Sequence, residues 1–101
     1  MQEVVFKPKD MFPCKGDNLW ISEGFSIWIR MESLLEDHIV VIDFDGIRRV
    51  SRGFASEIIG NLIRNNRTDL IDHIKFINTN KDIEDVITWV KEHPEDAINW
   101  L

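Results

Sequence analysis

The segment that most restricts how this chain can fold is Ile39-Val40-Val41-Ile42-Asp43-Phe44. Its β-branched residues follow one another without polar alternation. A strand built this way has both faces buried, as at the centre of a parallel sheet with helices or other layers on each side. Asp45-Gly46 then ends it. The run is also the longest strongly apolar one, and far short of the roughly 20 residues that span a bilayer.

On either side of this strand the periodicity changes to that of helices. From Ser22, read as an N-cap, a helix runs to about Glu36, with Phe25, Trp28, Ile29 and Leu35 at helical spacing. Ser51 caps a second helix, whose apolar positions Phe54, Ala55, Ile58, Ile59, Leu62 and Ile63 cover about half its circumference. Asn65-Asn66-Arg67 closes that helix, Asn being suited to a left-handed cap. Ile74-Lys75-Phe76-Ile77-Asn78 reads as a second core strand. Asn80 or Asp82 starts a helix carrying Ile83, Val86, Ile87 and Val90, and Pro94 opens a last turn towards Trp100 and Leu101. At the other end, Val4-Val5-Phe6 is a short edge strand before Pro8. Residues 9–19 read as loop, with a hairpin at Lys15-Gly16-Asp17.

The order strand, helix, strand, helix, strand, helix predicts an α/β domain over residues 1–101. It has a small mixed or parallel sheet of about four strands and three or four helices. At 101 residues and 44% hydrophobic, the chain supports one core without staples. A single cysteine, Cys14, excludes an intrachain disulfide framework and predicts a reducing compartment. The first residues, Met1-Gln2-Glu3, lack the basic and apolar pattern of a signal peptide, so a cytoplasmic protein with no membrane partner is expected.

Net charge is −6, which argues against nucleic acid as a partner, because such binding depends on neutralising phosphates. Against that acidic background Arg48, Arg49 and Arg52 form a local basic spot, expected to mark a binding surface. Cys14, His38, His73 and His93 are scattered at no ligand spacing, so neither a metal site nor another cofactor is predicted. Asp43 and Asp45 at a strand end resemble the first motif of haloacid-dehalogenase-like phosphatases. Arg48 stands where that motif has an apolar residue, however, and no Lys and paired-Asp set follows. The chain is therefore read as a non-enzyme. Arg48-Arg49-Val50-Ser51 also fits a short basophilic-kinase pattern, which makes Ser51 a candidate phosphorylation site in addition to its role as cap.

A more specific pattern spans residues 39–62. An apolar strand ends in Asp43-Phe44, one residue precedes Gly46-Ile47, and Val50-Ser51 and Phe54-Ala55 with Glu57 follow. This resembles a STAS-like domain, and more narrowly is similar to the bacterial STAS-like family of unknown function. The resemblance implies a STAS-like fold and regulatory protein–protein interaction, as in anti-sigma-factor antagonists, with a histidine-kinase-like ATPase or other signalling protein as partner. In those antagonists a phosphorylated Ser opens the helix. Here Arg52 occupies its place, preceded by Ser51, so that switch does not carry over.

The expected docking face comprises Asp45, Arg48, Arg49, Ser51 and Arg52, continued along the helix by Gly53, Ser56, Gly60 and Arg64. The small residues of that stripe are read in two ways: as a smooth ridge that lets another backbone approach, or as glycines of structural use, Gly53 easing the first turn and Gly60 packing against a neighbouring loop. A different class of function, a sensor binding an anion or nucleotide phosphate near Arg52, is the alternative. Trp89 and Trp100 are read as a homodimer contact.

Overall fold

A computed structural model describes residues 1–93, centred on strand β3 (His38–Asp43). It is flanked by β1 (Gln2–Phe6) and β5 (Ile74–Ile77), both parallel to it, in the order β1-β3-β5. The register places Val4 and Ile74 beside Val40, and Phe6 and Phe76 beside Ile42. Alternation along each strand then puts these residues on one face. That face carries the core: Val40 and Ile42 belong to one apolar cluster with Ile27, Met31, Phe54, Ile58 and Ile83.

The other face differs from the expectation of a layer on each side. Val41 is buried there, but Val5 and Ile77 are exposed, and an ion pair from Glu3 to Lys75 (2.8 Å) bridges the two edge strands across β3. β5 is accordingly an edge strand with one buried residue, Ile74, and not a second central strand.

Between β1 and β3 the chain is more ordered than a loop. Pro8 opens a short helix α1 (Pro8–Met11), where its missing N–H costs nothing. Instead of a hairpin at Lys15-Gly16-Asp17, Gly16 turns the chain at φ +69° into a two-residue strand β2 (Asn18–Leu19). β2 pairs in parallel with β4 (Arg49–Val50), forming a second, two-stranded sheet.

Helix α2 (Ile21–Met31) begins two residues earlier than its predicted cap, Ser22, would allow. Trp20 holds the N-cap position, and its backbone N–H donates to Glu23 Oε1 at 2.8 Å. This is half of a capping box, supplied from the third helical position. The buried positions are Glu23, Gly24, Ile27, Trp28 and Met31, and Leu35 is buried beyond the helix, after a 3₁₀ turn (Glu32–Leu34). Phe25 and Ile29, expected in the core, are instead 52% and 57% exposed.

The second predicted helix starts where expected. Ser51 Oγ accepts the Phe54 N–H at 3.0 Å, capping α3 (Arg52–Ala55). A π-helical turn (Ser56–Gly60) and α4 (Asn61–Arg64) follow without a break, so one rod covers residues 52–64. Asn66 then takes the left-handed conformation, φ +58°, that its side chain tolerates. A 3₁₀ segment (Thr68–His73) leads into β5.

Asn80 caps α5 (Lys81–Glu92), accepting the Ile83 N–H at 2.9 Å; Ile83, Ile87 and Val90 are its buried positions. Pro94, Trp100 and Leu101 lie outside the described residues. Among the described residues no helix is long and apolar enough to cross a membrane.

Candidate functional site

The predicted docking residues gather where β3 ends. Phe44 is fully buried, and the Ile47 N–H donates to the Phe44 carbonyl at 2.8 Å, closing a turn. Gly46 sits at its third position with φ +83°, the left-handed geometry that favours glycine there. Asp43 Oδ1 accepts the Asp45 N–H (2.9 Å) and an amide N–H of Asn78 (2.8 Å). The bond from Asn78, followed by that from the Asp45 backbone, holds the Asp43 carboxyl below the usual aspartate value. The two carboxylates suggestive of a phosphatase are thus tied into the turn: Asp43 organises it, and Asp45 lies 3.5 Å from Lys7 Nζ.

The next residues are fastened from both sides. Backbone N–H groups of Arg48 and Arg49 donate to the Asp17 carbonyl (2.7 and 3.3 Å), and Ser51 N–H donates to that of Leu19 (2.9 Å). From the opposite side Asn80 Nδ2 donates to the Arg48 carbonyl at 2.9 Å. Ile47 and Val50 bury their side chains, while Asp45, Arg48, Arg49 and Arg52 remain exposed. The result is a crest with a fixed backbone and outward charged side chains. Among the described residues neither Arg48 nor Arg49 has an ion-pair partner.

Acidic groups border this crest. Arg49 and Val50 share a shallow groove with Asp82, Asp85 and Val86 of α5. Arg52 is engaged differently: its guanidinium carbon lies 3.8 Å from the centroid of the Trp89 ring. Trp89 is half-buried and stacks on His93 at 4.4 Å, so its exposed area is smaller than a chain-end contact residue would suggest.

The continuation of the docking face along the rod is not an open surface. Gly53 and Gly60 are buried, and Ser56 is 0% exposed. A Cβ at Gly53 would meet Ile21 Cβ at 3.0 Å, and one at Gly24 would lie 2.7 Å from the Phe54 carbonyl oxygen. The small residues do allow a close backbone approach, but the approaching backbone is that of α2. Farther along, the Arg64 guanidinium folds back over Gly60, donating to Ser56 Oγ (3.0 Å) and Asn61 Oδ1 (2.9 Å). Its partial burial lowers the Arg64 pKa against the opposing charge of Glu57. Of the nine predicted docking residues, Gly53, Ser56 and Gly60 are therefore withdrawn as contact residues, and Arg64 is a clamp on the π turn.

Sequence reasoning missed Asp17 and Lys7, and it did not place Asn80 or Trp89, read as a helix start and a homodimer contact, beside the crest. Asn80 was legible as a helix cap, but its second bond, to the Arg48 carbonyl, joins residues 32 apart and has no local signal.

Parallel strands joined through helices on a shared face, with β3, a tight glycine turn and a Ser-capped helix in succession, define a STAS-like α/β fold. The family described as STAS-like domain of unknown function (DUF4325) matches residues 29–84, more than half of the chain, and the chain belongs to that family. No curated protein and no solved structure matches it.

Proposed function

We propose that this chain is a non-catalytic, regulatory protein–protein interaction domain of the cytoplasm, docking its partner through the crest of Asp45, Arg48, Arg49, Ser51 and Arg52. The observation that carries this reading is the pair Arg48 and Arg49. Both are exposed and without an ion-pair partner among the described residues, on a backbone fixed by Asp17 and Asn80. A fixed backbone lowers the ordering cost of binding. Arginine forks suit partner carboxylates, and on a chain of net charge −6 they concentrate positive potential at one place.

The mixed signs around the crest favour a protein over a small anion. Asp45, Asp82 and Asp85 would repel a phosphate brought to these arginines, whereas a protein surface can match both signs. Ser51 Oγ already takes the Phe54 N–H, and Arg52 is stacked on Trp89. The sensor reading is correspondingly weaker. A kinase-like ATPase is the partner class that STAS kinship supports.

The test begins with the partner retained by immobilised wild-type protein from the native host and identified by mass spectrometry. Its affinity is then measured calorimetrically for wild type, Arg48→Glu, Arg49→Glu and, as a control on α2, Arg30→Glu. The two crest variants should bind about 10-fold more weakly or worse, with Arg30→Glu unchanged. Unaltered affinity in both crest variants, with native circular dichroism, places docking elsewhere. Mg²⁺-dependent phosphomonoester turnover abolished by Asp43→Asn would overturn the non-catalytic part.

A further inference from the structure

The rod that begins at the crest ends beside a cavity at the opposite end of the sheet. Residues 32–36 precede the start of β3 and residues 62–70 precede that of β5, and together they enclose about 370 Å³. Ligand cavities in proteins begin at about this size, roughly 300 Å³, and combine apolar walls with a few placed polar groups. Trp28, Leu62 and Leu70, all buried core residues, contribute apolar surface; Glu32, Glu36 and Arg67 supply charge.

These charges do not balance. Arg67 Nη1 bonds Glu36 at 3.2 Å, and its Nε bonds Asp69 at 3.2 Å, so two carboxylates share one guanidinium. The Asp69 bond, ahead of the one to Glu36, raises the Arg67 pKa, so this cation stays charged. Glu32 has no ion-pair or side-chain hydrogen-bond partner among the described residues. The lining thus offers an aromatic and aliphatic wall beside an uncompensated carboxylate. Negative potential over apolar surface suits a cation with an apolar body, and an indole can add attraction to a cation over its face.

We propose that this cavity binds a small organic cation, a primary ammonium or guanidinium on an aromatic or branched apolar group, with Glu32 as its counter-charge. Such a group comes either from a free amine or from a Lys or Arg side chain next to an apolar residue within a partner peptide. The site is separate from the crest and does not depend on it.

The probes are phenethylamine, its neutral counterpart 2-phenylethanol and its anionic counterpart phenylacetate. Each is titrated into the full chain at neutral pH and followed by the Trp28 indole N–H and the Leu62 and Leu70 methyl resonances. Phenethylammonium should give saturable shifts at all three residues, 2-phenylethanol should bind several-fold more weakly, and phenylacetate weakest of all. Glu32→Gln, at an exposed position, should weaken the amine about 3-fold while Asp45→Asn leaves it unchanged. A second arm compares N-acetyl-Leu-Lys-amide: tighter binding than the amine assigns the site to a partner side chain, weaker binding to a free amine. No saturable shift at Trp28, equal binding of all three probes, or an unaltered amine affinity in Glu32→Gln would overturn the proposal.

Discussion

The Arg52 guanidinium lies over the Trp89 ring, 3.8 Å from its centroid, so the first residue of α3 is held by the third turn of α5. This contact joins two helices that begin on the same side of the sheet, at the C-terminal ends of the strands, and it fixes one edge of the crest. A cation over an indole at a partly exposed site is worth about 0.5–1 kcal/mol. A double-mutant cycle of Arg52→Ala and Trp89→Ala, read by urea denaturation, should return a coupling of that size. Strict additivity of the two substitutions would mean that the contact contributes nothing in solution.

Gly24→Ala reverses the usual rule for helices. Alanine in place of glycine inside a helix ordinarily gains up to about 1 kcal/mol. Here the added Cβ would lie 2.7 Å from the Phe54 carbonyl oxygen and 2.9 Å from its Cα, both backbone atoms, so α2 and α3 must move apart. The variant should lose about 1–3 kcal/mol, seen as a lower denaturation midpoint with an unchanged slope. A stabilised variant would show that the crossing is looser than described.

Both glycines at that crossing were visible in the sequence, but their use was not. Helical spacing told which residues of 52–64 share a face; it held no information on whether a second helix covers that face. Gly53, Ser56 and Gly60 thus read as an open ridge although α2 and the Arg64 side chain lie over it. The same limit explains Phe25 and Ile29, which repeat at core spacing on α2 while the stripe of Ile27, Trp28 and Met31 faces inward. Local signals fared better. The unbroken apolar run of β3 and the Ser51 cap each depend on a few adjacent residues and stand where they were read; Asn66 is the left-handed residue within the closing Asn65-Asn66-Arg67, and Asn80, one of the two starts read for α5, is its cap. The two-residue strands β2 and β4 were too short for any period to show.

Glu23 makes stability depend on acid. Its carboxylate is only 2% exposed, and burial alone would raise its pKa. Hydrogen bonds from Ser22 and from the Trp20 backbone, with Lys15 3.6 Å away, outweigh that and lower it below the ordinary 4.5. A group lowered in the folded state stabilises fully above its unfolded pKa, and that contribution is lost as pH falls through the folded value. Glu23→Gln should therefore be less stable than wild type at pH 7, with the gap narrowing below pH 4.5. Equal stability at pH 7, or a gap that widens in acid, would contradict this assignment.

Asn80 has two tasks, capping α5 and tying down the Arg48 carbonyl. Asn80→Ala should cost about 1–2 kcal/mol in denaturation, from the lost cap and the lost bond to the crest. Asn80→Ser, which keeps a cap oxygen but cannot reach as far, should recover part of the stability. Partner affinity should fall in both variants, because each frees the backbone that presents Arg48 and Arg49. Full affinity in Asn80→Ala would mean that the crest needs no support from this side.

The most direct test of crest docking is a nuclear magnetic resonance map of the complex that includes the arginine Nε–H signals. With the isolated partner bound, the largest changes should fall on residues 45–52 and on the Nε–H groups of Arg48 and Arg49. The α2 face of Trp20, Phe25 and Ile29 should stay unaltered. Changes centred on that face, with the Arg48 and Arg49 signals unmoved, would contradict crest docking.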